Sequence, residues 1–245
     1  MIDEKEAIAR HFAKTPKPTD GIKAALIDMD GVLYDSMKNH TAAWFRMATE
    51  LGIECTRNEF YGYEGMTGAA TINVLFQRAY GRDASPEEVK ALYARKAQYF
   101  VEMGEPQMMP GAAQMLNTLR DAGITRVLVT GSGQQSILDR LDRDYPGIFA
   151  HDKRVTAHDV THGKPDPEPY LKGLQMAGCN AREAIVIENA PLGVLAGSRS
   201  GCFTVGITTG PISEADMTAS GADIVYASMP EFVSHLPSLL NAFKD

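Results

Sequence analysis

Residues 22–36 read IKAALIDMDGVLYDS. Ile22 to Asp28 is an apolar run of strand length. It ends on two carboxylates one residue apart, Asp28 and Asp30, with Gly31 behind them to let the backbone turn. No second strand follows. From about Ser36 to Gly104 the apolar residues fall at helical spacing, in HTAAWFRMATELG (40–52), TGAATINVLFQRAYG (67–81) and SPEEVKALYARKAQYFVEMG (85–104), and each stretch stops at a glycine. Ser85-Pro86-Glu87-Glu88 is a helix start: a hydroxyl cap, a proline in the first turn, and acids at the positive end.

Beyond MMPGAAQ (108–114) the rhythm changes. Helical stretches at 111–123, 133–141, 167–178 and 192–201 lead to apolar runs: RVLVT (126–130), a short strand near RVTAHDV (154–160), AIVIE (184–188) and FTVGI (203–207). DIVYAS (223–228) and a helix from Pro230 close the chain. Strands alternating with helices predict an α/β fold with a doubly wound parallel sheet. One strand precedes the helical block and the others follow it. The simplest organisation is therefore an α/β core (21–35 and 106–245) with an all-α cap (36–105) inserted after the first strand. A short amphipathic N-terminal extension (1–20) stands before both.

The chain has 245 residues and is 44% hydrophobic, enough for a substantial core. Its net charge of −7, with no basic run, argues against nucleic acid or an anionic membrane as partner. Cys55, Cys179 and Cys202 are widely spaced, which suits a reducing compartment better than a disulfide or zinc framework. The acidic start MIDEKEAIARHF is unlike a signal peptide, and no apolar stretch has membrane-span length, so a cytoplasmic location is expected, with a monomer as the default.

In open α/β sheets ligands gather at the carboxyl ends of the strands. Those ends carry Asp28-Met29-Asp30-Gly31, Thr130-Gly131-Ser132-Gly133 and Glu188-Asn189, and a proline-stiffened loop holds Lys164. A carboxylate can attack phosphorus, and a second carboxylic acid can protonate the leaving oxygen and later deprotonate water. A hydroxyl, glycine-loop amides and an ammonium suit a phosphoryl group. Oxygen donors from an acid and an amide suit Mg²⁺. Each feature alone also has an ordinary reading: a strand-end turn, a surface lysine, an asparagine helix cap.

Together, in this order and over residues 22 to about 228, these four motifs resemble the haloacid dehalogenase superfamily of phosphohydrolases, in particular its β-phosphoglucomutase-like branch with a small helical cap. The resemblance implies a Rossmann-like core. Asp28 would be the nucleophile, forming an aspartyl phosphate, and Asp30 the general acid/base. Thr130 and Lys164 would be catalytic groups gripping the phosphoryl, with Gly131 and Ser132 beside them. Mg²⁺ would lie among Asp28, the Asp30 carbonyl, Glu188 and Asn189. Dehalogenases of the superfamily lack the second aspartate, so Asp30 points to phosphorus chemistry. His40 and Lys96 match a substrate-side histidine and lysine of the cap; Trp44 reads as cap core.

Two departures bear on function. Mutases of the branch read G-x-S-R where this chain has Gly65-Met66-Thr67-Gly68, so the arginine that grips the non-transferring phosphate is absent. Asn189 stands where an aspartate is usual. The expectation is a Mg²⁺-dependent phosphatase acting on a small phosphorylated metabolite such as a sugar phosphate. A β-phosphoglucomutase-type mutase is the alternative, and a weakly catalytic phosphometabolite binder or regulator a lesser one. Phosphonate hydrolysis through an imine would need Lys38 or Lys96, and neither has a sequence context that suggests a depressed pKa.

Overall fold

The computed structural model describes residues 3–244. Helix α1 (Glu4–His11), in the N-terminal extension, starts at Asp3, whose carboxylate accepts from the Glu6 amide. Strand β1 (Ala24–Ile27) is buried throughout, as its apolar run predicts. A short β2 (Tyr34–Asp35) then leads into four helices: α2 (Met37–Glu50), α3 (Glu59–Gly62), α4 (Gly68–Tyr80) and α5 (Pro86–Glu102). Ser85 and Glu88 close a reciprocal capping box at the start of α5, as the sequence motif anticipates.

The chain returns through β3 (Gln107–Met108), which pairs antiparallel with β2. This two-stranded root beneath the helical block is too short to announce itself in the sequence. Then come α6 (Ala112–Asp121), β4 (Thr125–Val129), α7 (Gln135–Asp144), β5 (Arg154–Val155), α8 (Glu168–Ala177), β6 (Ala184–Glu188), α9 (Pro191–Arg199), β7 (Phe203–Ile207), α10 (Glu214–Ala219), β8 (Ile224–Tyr226) and α11 (Met229–Ala242).

The main sheet is all parallel in the order β5-β4-β1-β6-β7-β8. Alternate residues feed two apolar layers. Ala25, Ile27, Leu128, Ile185, Ile187 and Val205 face one; Ala24, Leu26, Val127, Val129, Ala184 and Val186 face the other. Strand β1 lies between β4 and β6, where the strand order reverses. A residue just past its end therefore stands in the crevice that open α/β sheets use for ligands. Asp28 is that residue. Among the described residues, no helix is long and apolar enough to cross a membrane.

Candidate active site

Asp28 is buried at the end of β1, and its Oδ1 accepts a hydrogen bond from Lys164 Nζ at 2.5 Å. The same ammonium donates to Glu188 Oε1 at 2.6 Å and to the Val129 carbonyl at 3.0 Å. All three of its protons are thus directed, which fixes a long flexible side chain in one place. Burial works against the Lys164 charge, but Asp28 and Glu188 overcome it and hold its pKa above the ordinary value. Burial also pushes the Asp28 carboxyl up, to about 8; Lys164 pulls it down and Glu188 pushes it further up.

Glu188 ends β6 with both carboxylate oxygens engaged. Oε1 accepts from Lys164 and from the Tyr170 hydroxyl at 2.9 Å; Oε2 accepts the amides of Asn189 and Ala190 at 2.9 and 3.0 Å. A side chain at Gly193, in the first turn of α9, would run into that carboxylate. The glycine therefore lets Glu188 sit under the helix start.

Asp30 takes two donors on one oxygen, Oδ1: the Ser36 hydroxyl at 2.5 Å and His40 Nε2 at 3.0 Å. Its other oxygen is left for chemistry. Burial is the largest single influence and would raise its pKa, but His40, the Ser36 hydrogen bond and Lys96 together outweigh it and hold the carboxyl below its ordinary value. Lys96 Nζ lies 2.5 Å from His40 Nδ1, so it donates to that nitrogen, and Nε2 carries the proton facing Asp30. A chain of contacts runs from α5 through α2 to the strand-end acid. Burial lowers the pKa of Lys96 to about 7. This corrects the sequence reading, which found no context for a depressed lysine: the desolvating neighbours Trp44, Tyr93 and Phe100 come together only in the fold. Lys38, by contrast, is an exposed partner of Asp35.

Thr130 follows β4, and its Oγ1 accepts the Ser132 amide at 3.0 Å. The Gly133 amide goes to the Tyr93 hydroxyl at 3.2 Å, and the Gln134 amide to Ser132 Oγ. The Gly131 amide has no protein partner among the described residues. A side chain at Gly131 would collide with the carbonyls of Gly65 and Met66, so the helical block rests directly on this loop.

Asn189 is buried, and its Nδ2 donates to Glu64 Oε1 at 2.5 Å across the boundary between core and helical block. Its Oδ1 has no partner. The helix-cap reading of Asn189 does not describe this contact: Ala190 is the N-cap of α9, with no side-chain cap bond. Burial raises the Glu64 carboxyl well above its usual range, and Asp28, Glu188 and Asp30 add to the effect against the Asn189 bond.

A partly open cavity of about 60 Å³ lies between these parts, lined by Asp28, Asp30, Thr130, Gly131 and Ser132 from the core and by His40, Glu64 and Lys96 from the helical block, with aromatic residues between. Trp44 is both packed core and cavity wall. Lys164, Glu188 and Asn189 lie behind the cavity floor through the contacts above. Sequence reasoning missed Glu64 and Tyr93. Glu64 directly precedes the stretch that departs from the mutase pattern. Tyr93 lies three residues before Lys96 and so on the same helical face, a signal that could have paired them.

A family model described as haloacid dehalogenase-like hydrolase matches residues 22–201. The chain belongs to that family. It is 32% identical to hexitol phosphatase A of Escherichia coli over 202 residues, 80% of this chain and 89% of that protein. It is 25% identical to the β-phosphoglucomutase of Bacillus subtilis, over 80% of this chain and 88% of that one. A Bacteroides vulgatus structure provisionally described as a β-phosphoglucomutase superposes with a TM-score of 0.94 at 43% identity, covering 99% and 98% of the two chains. Phosphatases and mutases thus both stand among the relatives of this haloacid dehalogenase-like hydrolase.

Proposed function

We propose that this hydrolase is a Mg²⁺-dependent phosphatase that works through an aspartyl phosphate on Asp28, with a small phosphorylated metabolite as substrate. The observation that favours hydrolysis over mutase action is at Gly68. A side chain there would overlap the ring of Tyr93, which fills the space a phosphate-gripping arginine would need. A mutase must hold both phosphates while its intermediate turns over, and a charge-assisted phosphate contact is typically worth about 1.5–3 kcal/mol. Relatives that hydrolyse small phosphates, such as the glycerol-1-phosphate phosphohydrolase 2 of Saccharomyces cerevisiae, support the reading.

Asp28, ionised once its proton is lost, attacks phosphorus while the bond to the leaving oxygen breaks; Asp30, held ionised in the free protein, takes up a proton as the anionic substrate binds and delivers it to that oxygen. Asp30 then takes a proton from water as the water cleaves the acyl phosphate, releasing phosphate and restoring Asp28. Thr130 and the Gly131 amide steady the phosphoryl oxygens, while Lys164, its three protons held by Asp28, Glu188 and the Val129 carbonyl, offsets their charge from behind the cavity floor. The helical block, acting as a cap over the cavity, excludes bulk water from the first step.

The residues fit a divalent cation. The buried carboxyls of Asp28, Glu64 and Glu188 and the part-buried one of Asp30 outnumber the one ammonium bonded among them, and the orphaned Asn189 Oδ1 is a neutral oxygen donor beside them. Asp28, the Asp30 carbonyl and Asn189 would hold Mg²⁺, with Glu64 contributed by the cap. Glu188, its oxygens already engaged, serves mainly to set Lys164 and the start of α9. Among the described residues no three His, Cys, Asp or Glu side chains form a ready-made cage, so a backbone carbonyl, an amide and waters would have to complete the shell. When bound, the ion supplies charge neutralisation and favours the ionised form of Asp28.

The test is a phosphate-release screen, with and without Mg²⁺, over small phosphoesters, sugar phosphates, nucleotides and inorganic phosphoanhydrides, with Asp28→Asn as control. Mg²⁺-dependent release that Asp28→Asn abolishes is expected. Conversion of β-glucose 1-phosphate to glucose 6-phosphate without net phosphate release would overturn the reading in favour of a mutase, and no turnover on any substrate would favour a binder.

A further inference from the structure

Strand β4 carries a second feature at its other end. Thr130 follows its carboxyl end; Arg126 lies near its start, roughly 13 Å away at strand spacing. The Arg126 side chain is half-buried, and its Nε is buried with no hydrogen-bond partner. Its one bond is a long contact of 3.5 Å from Nη1 to the Leu116 carbonyl. No carboxylate among the described residues pairs with it. Burial and the neighbouring Arg120 both push its pKa down.

Two surface grooves, about 360 and 350 Å³, meet at Arg120, Arg126 and Ile148. Lys153 borders one of them, with its ammonium on the Met176 carbonyl at 2.6 Å and Asp152 at 3.4 Å. The acids in the neighbourhood are turned elsewhere: Asp144 pairs with Arg140 and Arg143 at 2.7 and 3.1 Å, and Asp121 with Arg120 at 2.8 Å. In a chain of net charge −7, a half-buried guanidinium without a counter-ion is out of keeping with its surroundings. Guanidinium donors are arranged to match tetrahedral and planar oxyanions, and leaving a buried one unmatched costs stability.

We propose that Arg126, with Arg120 and Lys153 at the rim, forms a second anion site, for a small phosphate-type oxyanion, at the opposite end of the sheet from the phosphoryl-transfer centre. The site rests on none of the catalytic residues and does not depend on the proposed reaction. It gives the molecule a place to bind free phosphate, or the phosphate group of a metabolite, apart from turnover.

The experiment uses the whole chain, ¹⁵N-labelled and metal-free, titrated with inorganic phosphate at constant ionic strength while the arginine Nε–Hε signals are followed. Arg126→Gln assigns the Arg126 signal. A saturable shift of that signal in phosphate, absent with chloride, is expected, and Arg120→Gln should weaken the binding severalfold. Arg126→Leu should raise Tm in phosphate-free buffer, because it removes a half-buried charge whose buried Nε is unmatched, and should lose part of the phosphate-dependent rise in Tm. Steady-state phosphatase activity at low phosphate should be unchanged in both Arg126 variants. An Arg126 signal that does not move, or that moves equally with chloride, overturns the proposal. So does an Arg126→Leu variant whose Tm responds to phosphate as fully as the wild type.

Discussion

Asn189 Nδ2 and Glu64 Oε1 are 2.5 Å apart, one at the end of a core strand and the other in the cap loop. An acid is thereby brought from the helical block to the place where the family resemblance leads one to expect a core aspartate and this chain has an amide. The two residues make sense as a pair: a second core carboxylate at 189 would face Glu64, whereas an amide can donate to it. If Glu64 contributes to the cation site, Glu64→Gln keeps the shape and the fold but raises the Mg²⁺ concentration for half-maximal turnover by about 10-fold or more, the usual cost of losing a close supporting group at a metal. A titration of rate against Mg²⁺ checks this. An unchanged requirement would make Glu64 only a tie between cap and core.

Tyr93 spans the same boundary at another point, with its hydroxyl accepting the Gly133 amide and its ring over Gly68. Removing the ring opens the cavity on the leaving-group side. Tyr93→Ala should shift relative kcat/KM toward larger leaving groups, by roughly tenfold per added carbon at the lower end of what one methylene is worth in a pocket. Rates across a series of phosphoesters of rising length measure it. Gly68→Arg alone should give no mutase activity, because Tyr93 occupies the place of the new side chain.

Much of the fold was legible because strands buried on both faces are continuous apolar runs, and the helices between them carry caps and stopping glycines. The AIVIE and FTVGI runs became β6 and β7 over the same residues. RVTAHDV yielded only Arg154–Val155, because Thr156 and Asp159 satisfy each other in a turn directly after it. The strand-end acids were visible because D-x-D-G after an apolar run is local. Glu64, Tyr93 and the low pKa of Lys96 were not, because each depends on contacts between residues 40 to 125 positions apart.

Lys96 gives a pH prediction. Its folded pKa, about 7, lies below the ordinary 10.5. Between those values the unfolded chain keeps a proton that the folded protein has released, so this group makes stability rise with pH across the window and adds no slope below it. Lys96→Met should flatten that rise and stabilise the protein most near the acid end of the window. Urea denaturation of both proteins at several pH values tests the direction. An equal slope in the variant would show that Lys96 titrates normally.

Aspartic acid at position 189 should have two opposed effects. Asn189→Asp replaces the donor that Glu64 accepts with a second buried acid, so without metal the two carboxyls repel or one must hold a proton. The metal-free variant should therefore lose thermal stability relative to the wild type, in EDTA, by Tm. The same change adds a charged oxygen where the orphaned Asn189 Oδ1 now lies, so Mg²⁺ should bind more tightly by calorimetry and restore more of the lost stability than it adds to the wild type. A variant whose Tm and Mg²⁺ affinity both match the wild type would place the ion away from residue 189 and leave the Asn189–Glu64 contact as a latch between cap and core.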